Sequence, residues 1–167
     1  YMKKYIFDER GMTSTRTTSL EAIIQNRAAG YIKLASDSTV NAPNYMAVRP
    51  SGAFLSSIND LLKWEIDMQN IKLLTQKSWN QMWDDKFKTP LTMDNESIYY
   101  GYGWLVNKQT GKQLVHHGGS LPGFKSLYFR YPEDKTAIII LTNFDSTDTY
   151  GIAFGVAGLL QKEDKQK

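Results

Sequence analysis

The spacing of apolar residues changes character twice along this chain. It is helical near the start and middle, alternating beyond residue 99, and helical again at the end. Met2, Tyr5 and Ile6 lie at helical spacing ahead of Gly11, which predicts a short helix over Tyr1 to Arg10 closed by a left-handed glycine. No capping residue precedes Tyr1, so the expectation is a chain that starts inside a larger architecture. Leu20, Ile23, Ile24 and Ala28 share one face of a predicted helix over Ser19 to Ala28, and the Ser-, Asn-, Pro- and Gly-rich stretch Ser36 to Gly52 reads as loop. Ser57 then caps a helix: Asp60, three positions on, is placed to meet the free amides of the first turn, and Ile58, Leu61, Leu62 and Trp64 to Met68 supply a broad apolar face. Thr75 caps a second helix with Trp79, Met82 and Trp83 on one side. Both read as core packers.

From Tyr99 the period becomes two. Tyr100, Tyr102, Trp104 and Val106 alternate along one predicted strand, and the polar turn Asn107 to Lys112 leads to a second, Gln113 to His117, ending at Gly118-Gly119. Phe124 to Tyr131 and Thr136 to Asn143 flank Pro132-Glu133-Asp134-Lys135, the composition of a tight reversal, and so form an antiparallel hairpin. A nearly all-apolar helix from about Tyr150 to Gln161 should be buried on most sides, and the tail Lys162 to Lys167 is solvated. The fold class is therefore α+β: a mostly antiparallel sheet from Tyr99 to Asn143 with the last helix on one face and the Ser57 and Thr75 helices nearby. No internal repeat or interdomain linker interrupts it.

Composition narrows the function. Lys+Arg 20 against Asp+Glu 17 gives a formal +3, too weak and too evenly spread for a nucleic-acid footprint. The longest aliphatic run, Ala137 to Leu141, is far short of the roughly 20 residues of a membrane span. With no cysteine there are no disulfides, thiolate metal sites or cysteine nucleophiles, and no apolar signal core follows Tyr1, so any export signal is expected outside this chain.

His116 and His117 are the only histidines, and strand alternation sends them to opposite faces, which argues against one shared metal. Gly118-Gly119-Ser120 is not a nucleophile elbow, because Pro122 takes the fifth position and no helix opens there. Two glycines after a strand-end histidine do let another molecule approach the backbone closely, with the Ser120 amide free to donate. The aromatic row Tyr99, Tyr100, Tyr102, Trp104 offers a second reading, a carbohydrate-stacking platform of a non-catalytic peptidoglycan- or carbohydrate-binding module.

The string His117-Gly118-Gly119-Ser120-Leu121-Pro122-Gly123-Phe124, preceded by Tyr100-Gly101-Tyr102-Gly103-Trp104 and followed by Leu141-Thr142-Asn143, resembles the C-terminal half of the serine β-lactamase and penicillin-binding-protein superfamily, in its class C-like, esterase and D-alanyl-D-alanine peptidase branch. Gly11 to Thr15, Ala29-Gly30-Tyr31 and Pro50 to Ser56 leading into Asp60-Leu61-Leu62 agree, in order, over most of the chain. The resemblance implies an acyl-enzyme mechanism in the parent, with His117 at the basic position of the family's Lys-Thr-Gly or His-Thr-Gly motif. Gly118 and Gly119 then stand at its threonine and glycine beside the substrate, and the Ser120 amide at an oxyanion donor. It implies no metal or organic cofactor, a small-molecule or peptide substrate, and an extracytoplasmic location.

Three departures qualify the match. Gly118 lacks the motif's hydroxyl and histidine is only fractionally cationic at neutral pH, which points to an esterase, peptidase or amidase rather than a dedicated antibiotic hydrolase. Glu9-Arg10 replaces the usual Pro-Leu at a helix end. Finally, no serine has Lys three positions later and no tyrosine has Asn two positions later, while Ser57-Ile58-Asn59 matches only the spelling of another motif at a helix cap. Residues 1–167 are thus expected to be the C-terminal portion of one domain, inactive alone because its nucleophile lies upstream. In the superfamily the strand matching Thr136 to Asn143 is flanked by one from the N-terminal half. That edge, residues 136–143, is therefore expected to be open here and prone to self-association.

Overall fold

The computed structural model describes residues 1–43, 50–85, 87–93, 95–109 and 111–164. Residues 44–49 of the expected loop and 165–167 of the expected tail lie outside the described residues.

The chain opens with a wide helical turn, Lys3–Phe7, and a tight one, Asp8–Arg10, ended by Gly11 at φ 63°. Strands β1 (Arg16–Thr17), β2 (Tyr31–Lys33), β3 (Thr39–Asn41) and β4 (Phe54–Leu55) are short; β1 pairs with β4 and β2 with β3. Helices α1 (Ile58–Gln69) and α2 (Gln76–Met82) follow, then β5 (Phe87–Met93), β6 (Glu96–Tyr100), β7 (Leu105–Gln109), β8 (Lys112–Leu121), β9 (Phe124–Tyr131), β10 (Thr136–Thr142) and α3 (Thr149–Asp164). The last six strands form one antiparallel sheet in the order β10-β9-β8-β7-β6-β5.

Alternation along β8 and β9 builds a core on each face. Leu114, Leu127, Phe129 and Tyr131 point to α3 and pack with Ala153 and Ala157; Val106 and Val115 point the other way, onto Met68, Trp79 and Trp83 of the α1–α2 side. The sheet is thus a middle layer between helices, the α+β arrangement the sequence predicts. Both caps form as read: Ser57 Oγ accepts from the Asp60 amide at 3.3 Å and Thr75 Oγ1 from the Ser78 amide at 3.2 Å.

Five expectations are corrected. Residues 19–28 are not helical: Ser19 Oγ accepts from the amides of Glu21 and Ala22, Asn26 sits at φ 58°, and Ile23 stands exposed. Local side-chain bonding to the backbone has outcompeted the helix. Tyr100 to Val106 is not one strand, because Gly101 to Trp104 reverse the chain and Tyr100 pairs with Leu105. The sheet does not begin at Tyr99: β6 starts at Glu96, and Phe87–Met93 add a further strand despite Pro90, tolerated because β5 is at the sheet edge, with a register shift between Lys88 and Thr92. The Asp60 carboxylate turns not to the amides of its own first turn but to Lys63 Nζ at 3.2 Å and to the segment after the first helical turns, accepting from the Ser14 amide at 2.8 Å and Thr15 Oγ1 at 2.9 Å. And α3 buries only the stripe through Ala153 and Ala157, leaving Ile152, Val156, Leu159 and Leu160 exposed.

Motif segments far apart in sequence turn out to be packing partners. Gly123, at φ 78°, closes the β8–β9 turn, and a Cβ there would come within 2.8 Å of Gly30 Cα; a Cβ on Gly30 would reach 2.6 Å from the Phe124 ring. Asn143 Nδ2 donates to the Ala29 carbonyl at 2.9 Å and the Tyr31 amide to the Asn143 carbonyl at 2.9 Å. The β2–β3 hairpin therefore clamps the end of β8 from behind.

Candidate active site

Strand β8 changes role halfway. At Val115 and His116 it is paired on both sides; β7 ends its ladder at Leu105↔His116, and from His117 to Leu121 only β9 remains as partner. The strand does not stop at Gly118-Gly119, as the sequence suggests, but runs on to Leu121 and turns back through Pro122-Gly123. In a two-residue hairpin closed at Leu121↔Phe124, alternation directs the backbone groups of Gly118 and Ser120 away from β9, to the open side. One flank of residues 117–121 thus has no strand partner among the described residues, and of its backbone groups the Gly118 carbonyl is met by the His117 ring.

The two histidines face opposite ways and hold opposite tautomers. His116 is fully buried on the α3 side, its Nε2 3.2 Å from Asn107 Oδ1 and its Nδ1 3.0 Å from Tyr150 Oη. The amide oxygen only accepts, so Nε2 carries the proton and Nδ1 accepts from the tyrosine. Burial, helped by neighbouring His117, pushes the pKa of His116 down to about 4, which keeps the ring neutral. Burial also raises Tyr150.

His117 is exposed on the α1–α2 side. Its Nδ1 lies 2.7 Å from the Gly118 carbonyl and its Nε2 3.1 Å from Tyr100 Oη. A carbonyl can only accept, so here Nδ1 carries a proton, and in the neutral ring Nε2 accepts from Tyr100. The two rings meet edge to face at 6.0 Å. Tyr100 is the neighbour of His117 that the sequence does not reveal: it stands in Tyr-Gly-Tyr-Gly-Trp, but only the β6–β7 reversal brings it to the histidine.

Gly119 lies on the His117 side, where a Cβ would come within 2.5 Å of Ser126 Oγ, and Ser120 is exposed at the turn. Gly118 lies on the other side, where a Cβ would sit 3.5 Å from Tyr150 Oη. A threonine hydroxyl at 118 would therefore meet Tyr150 first, so its absence says less about carboxylate recognition than the sequence suggests. The expected aromatic row is divided as well: Tyr99 and Trp104 pack into the core with Tyr128, and only Tyr100 and Tyr102 reach the surface.

Behind the site, α1 is pinned to β9 by a buried cluster. Glu65 accepts from Arg130 Nε at 2.9 and 3.2 Å, from Gln69 Nε2 at 2.9 Å and from the Tyr128 hydroxyl, while the Arg130 guanidinium lies 4.9 Å over the Trp83 ring. Burial and the adjacent carboxylate raise the Tyr128 pKa, so it is a donor at all ordinary pH. Among the described residues no three His, Asp or Glu are close enough to hold a metal ion, and no helix is long and apolar enough to cross a membrane.

The family described as Beta-lactamase matches residues 1–157. Penicillin-binding protein 4* of Bacillus subtilis (strain 168) is 24% identical over 165 residues, covering 90% of this chain and 36% of its own. Among solved structures, an octameric penicillin-binding protein homologue from Pyrococcus abyssi superposes with a TM-score of 0.86 at 26% identity over 97% of this chain and 37% of its own. D-amino acid amidase from Ochrobactrum anthropi SV3, complexed with L-phenylalanine amide, gives 0.72 at 22% identity over 99% and 51%. The chain thus spans about a third of the length of the curated relative from Bacillus.

Proposed function

Because the chain belongs to the beta-lactamase family, we propose that it is the C-terminal, substrate-holding part of a serine hydrolase that works through an acyl-enzyme. The observation that carries this reading is the half-paired β8: an exposed histidine at the head of an open strand edge, with glycine at the next two positions. A peptide or amide substrate lies along that edge as an added strand. The amide of Ser120 donates to the oxyanion as the carbonyl becomes tetrahedral, and Gly118 and Gly119 admit the close approach this requires. His117 uses Nε2, now engaged by Tyr100, to bind or polarise the substrate; Tyr100 is its positioning residue. The serine nucleophile and its base are supplied from outside these 167 residues, by a segment N-terminal to them in the parent protein, which acts outside the cytoplasm. The substrate is an ester, peptide or amide, the last in keeping with the amidase among the structural neighbours.

The test joins the chain to the sequence upstream of it in its gene and assays short esters, amides and a chromogenic cephalosporin. The joined protein should turn over at least one class, His117→Ala should depress kcat, and the chain alone should be at background. A covalent adduct of a fluorescent penicillin on any serine of the chain alone overturns the assignment. The carbohydrate-platform reading loses its support, since half of the aromatic row is in the core.

A further inference from the structure

Two large aromatic side chains stand in solvent beside Tyr100, the partner of His117: Tyr102 is 67% exposed and Phe87 68%. Isolated exposed apolar residues are ordinary, but these two face one cleft and the backbone beneath Tyr102 is held rigidly. The Gly101 amide donates to the Trp104 carbonyl at 2.8 Å and the Tyr102 amide to the Met82 carbonyl at 3.1 Å. Gly101 is packed so closely on the end of α2 that any Cβ would collide with that same carbonyl. The turn is thus tied to a helix end, and it presents its tyrosine outward from a fixed base.

The cleft has a volume of ≈ 230 Å³ and is lined by Gln81, Asp84, Phe87, Tyr100, Gly101 and Tyr102. An apolar cavity of about 150 Å³ is enough to hold benzene. Aromatic walls favour another ring, edge-on or offset. Tyr100 belongs to both places: its ring lines the cleft while its hydroxyl is on His117 Nε2 at 3.1 Å. A group seated in the cleft therefore touches the residue that positions the histidine.

We propose that the Phe87–Tyr100–Tyr102 cleft is a specificity subsite for an aromatic ring carried by the substrate. This extends the hydrolase reading and rests on it for the word substrate, though not for the binding of the ring. Seating the ring places the rest of the molecule at His117 and along the open edge of β8, so the cleft selects substrates by their apolar group rather than by a charge.

Two measurements test it. In the first, the chain alone is titrated with phenylacetamide and with acetamide, followed by NMR. Phenylacetamide should shift the ring resonances of Tyr100 and Tyr102 and the imidazole of His117, acetamide should not, and Tyr102→Ala or Phe87→Ala should weaken the response about tenfold while Tyr102→Phe keeps it. Equal responses to the two amides, or shifts confined elsewhere, overturn the proposal. In the second, the chain joined to its upstream segment is assayed with ethyl phenylacetate, benzyl acetate and ethyl acetate. An aromatic ester should be preferred, and Tyr102→Ala should cut that preference about tenfold without changing kcat/KM for ethyl acetate. Turnover with no aromatic preference sinks the subsite alone. Ring binding without turnover of any ester sinks the hydrolase reading and leaves the ring site standing.

Discussion

Replacing Glu65 with Ala should be among the most damaging single changes available in this chain. Glu65 is 3% exposed and accepts from three donors, Arg130 Nε, Gln69 Nε2 and the Tyr128 hydroxyl, so its removal takes a partner from each. Gln69 also donates to the Lys135 carbonyl and so keeps a partner, but Arg130, itself 3% exposed, pairs with no second carboxylate among the described residues and its Nη1 already lacks a hydrogen bond. What remains to the guanidinium is the Trp83 face, worth about 1 kcal/mol or somewhat more. Breaking a buried pair from one side typically costs about 3–5 kcal/mol, a large share of the roughly 5–15 kcal/mol that holds a domain together. With a urea slope near 2 kcal/mol per molar, the midpoint should fall by about 2 M. Urea unfolding followed by tryptophan fluorescence measures this directly. The companion Glu65→Leu/Arg130→Met should recover part of the loss, since two apolar side chains need no partner while the Tyr128 hydroxyl still lacks its acceptor. A loss below about 1 kcal/mol for Glu65→Ala, or a double variant less stable than either single one, would refute the view that this pair is held by mutual compensation.

Three further outcomes are expected. His116 titrates at about 4 when folded and near 6.5 when unfolded, so the unfolded chain takes up the proton first as pH falls; stability is fully present above 6.5 and is lost down to about 4, by roughly 3 kcal/mol, and His116→Gln should flatten this window in urea midpoints measured against pH, whereas an unchanged slope would contradict it. Gly123→Ala should unfold the β8–β9 turn or displace the β2–β3 hairpin, because φ 78° and the contact with Gly30 leave no room; a thermal midpoint within about 2 °C of the parent chain would be incompatible with that packing. We also propose that the edge of β10, which among the described residues has β9 alone as strand partner and which carries Ala137-Ile138-Ile139-Ile140-Leu141, pairs with the same edge of a second copy of the chain; sedimentation giving a clean monomer, together with fast amide exchange from Ala137 to Leu141, would dispose of this.

What the sequence disclosed depended on how local the deciding interaction is. Ser57 and Thr75 speak only to amides three residues away, so both helix starts were legible, and so was the β9–β10 hairpin with its four-residue reversal. The helix expected over residues 19–28 failed for an equally local reason, the Ser19 hydroxyl, that periodicity does not register. The alternation from Tyr100 to Val106 misled because Gly101 and Gly103 permit a reversal that a count of apolar positions cannot see. For the site, alternation alone separated His116 from His117, whereas the Tyr100–His117 bond and the true partners of Asp60 span 17 and 46 residues and needed the fold. Several motif residues that carried the family resemblance, Gly30, Gly123, Asn143 and Asp60 among them, serve to hold segments together, which is why they marked the family without marking the chemistry.

The point where β7 leaves β8 acts as a ruler. Its length is fixed by the tie between Gly101–Tyr102 and the end of α2, since that tie decides where the chain must turn back and therefore that Leu105 is the last residue to reach the neighbouring strand. Insertions behind the tie, between α2 and β5, leave the ruler untouched, and natural variation should gather there. Two residues added between Gly103 and Leu105 would instead let β7 zip onward past His117 and seal with its own backbone the flank left for a visitor. Length in this four-residue turn is thus under tighter constraint than its identity, and a family member with a longer turn should differ in how much chain its guest can lay down, whatever side chains it keeps.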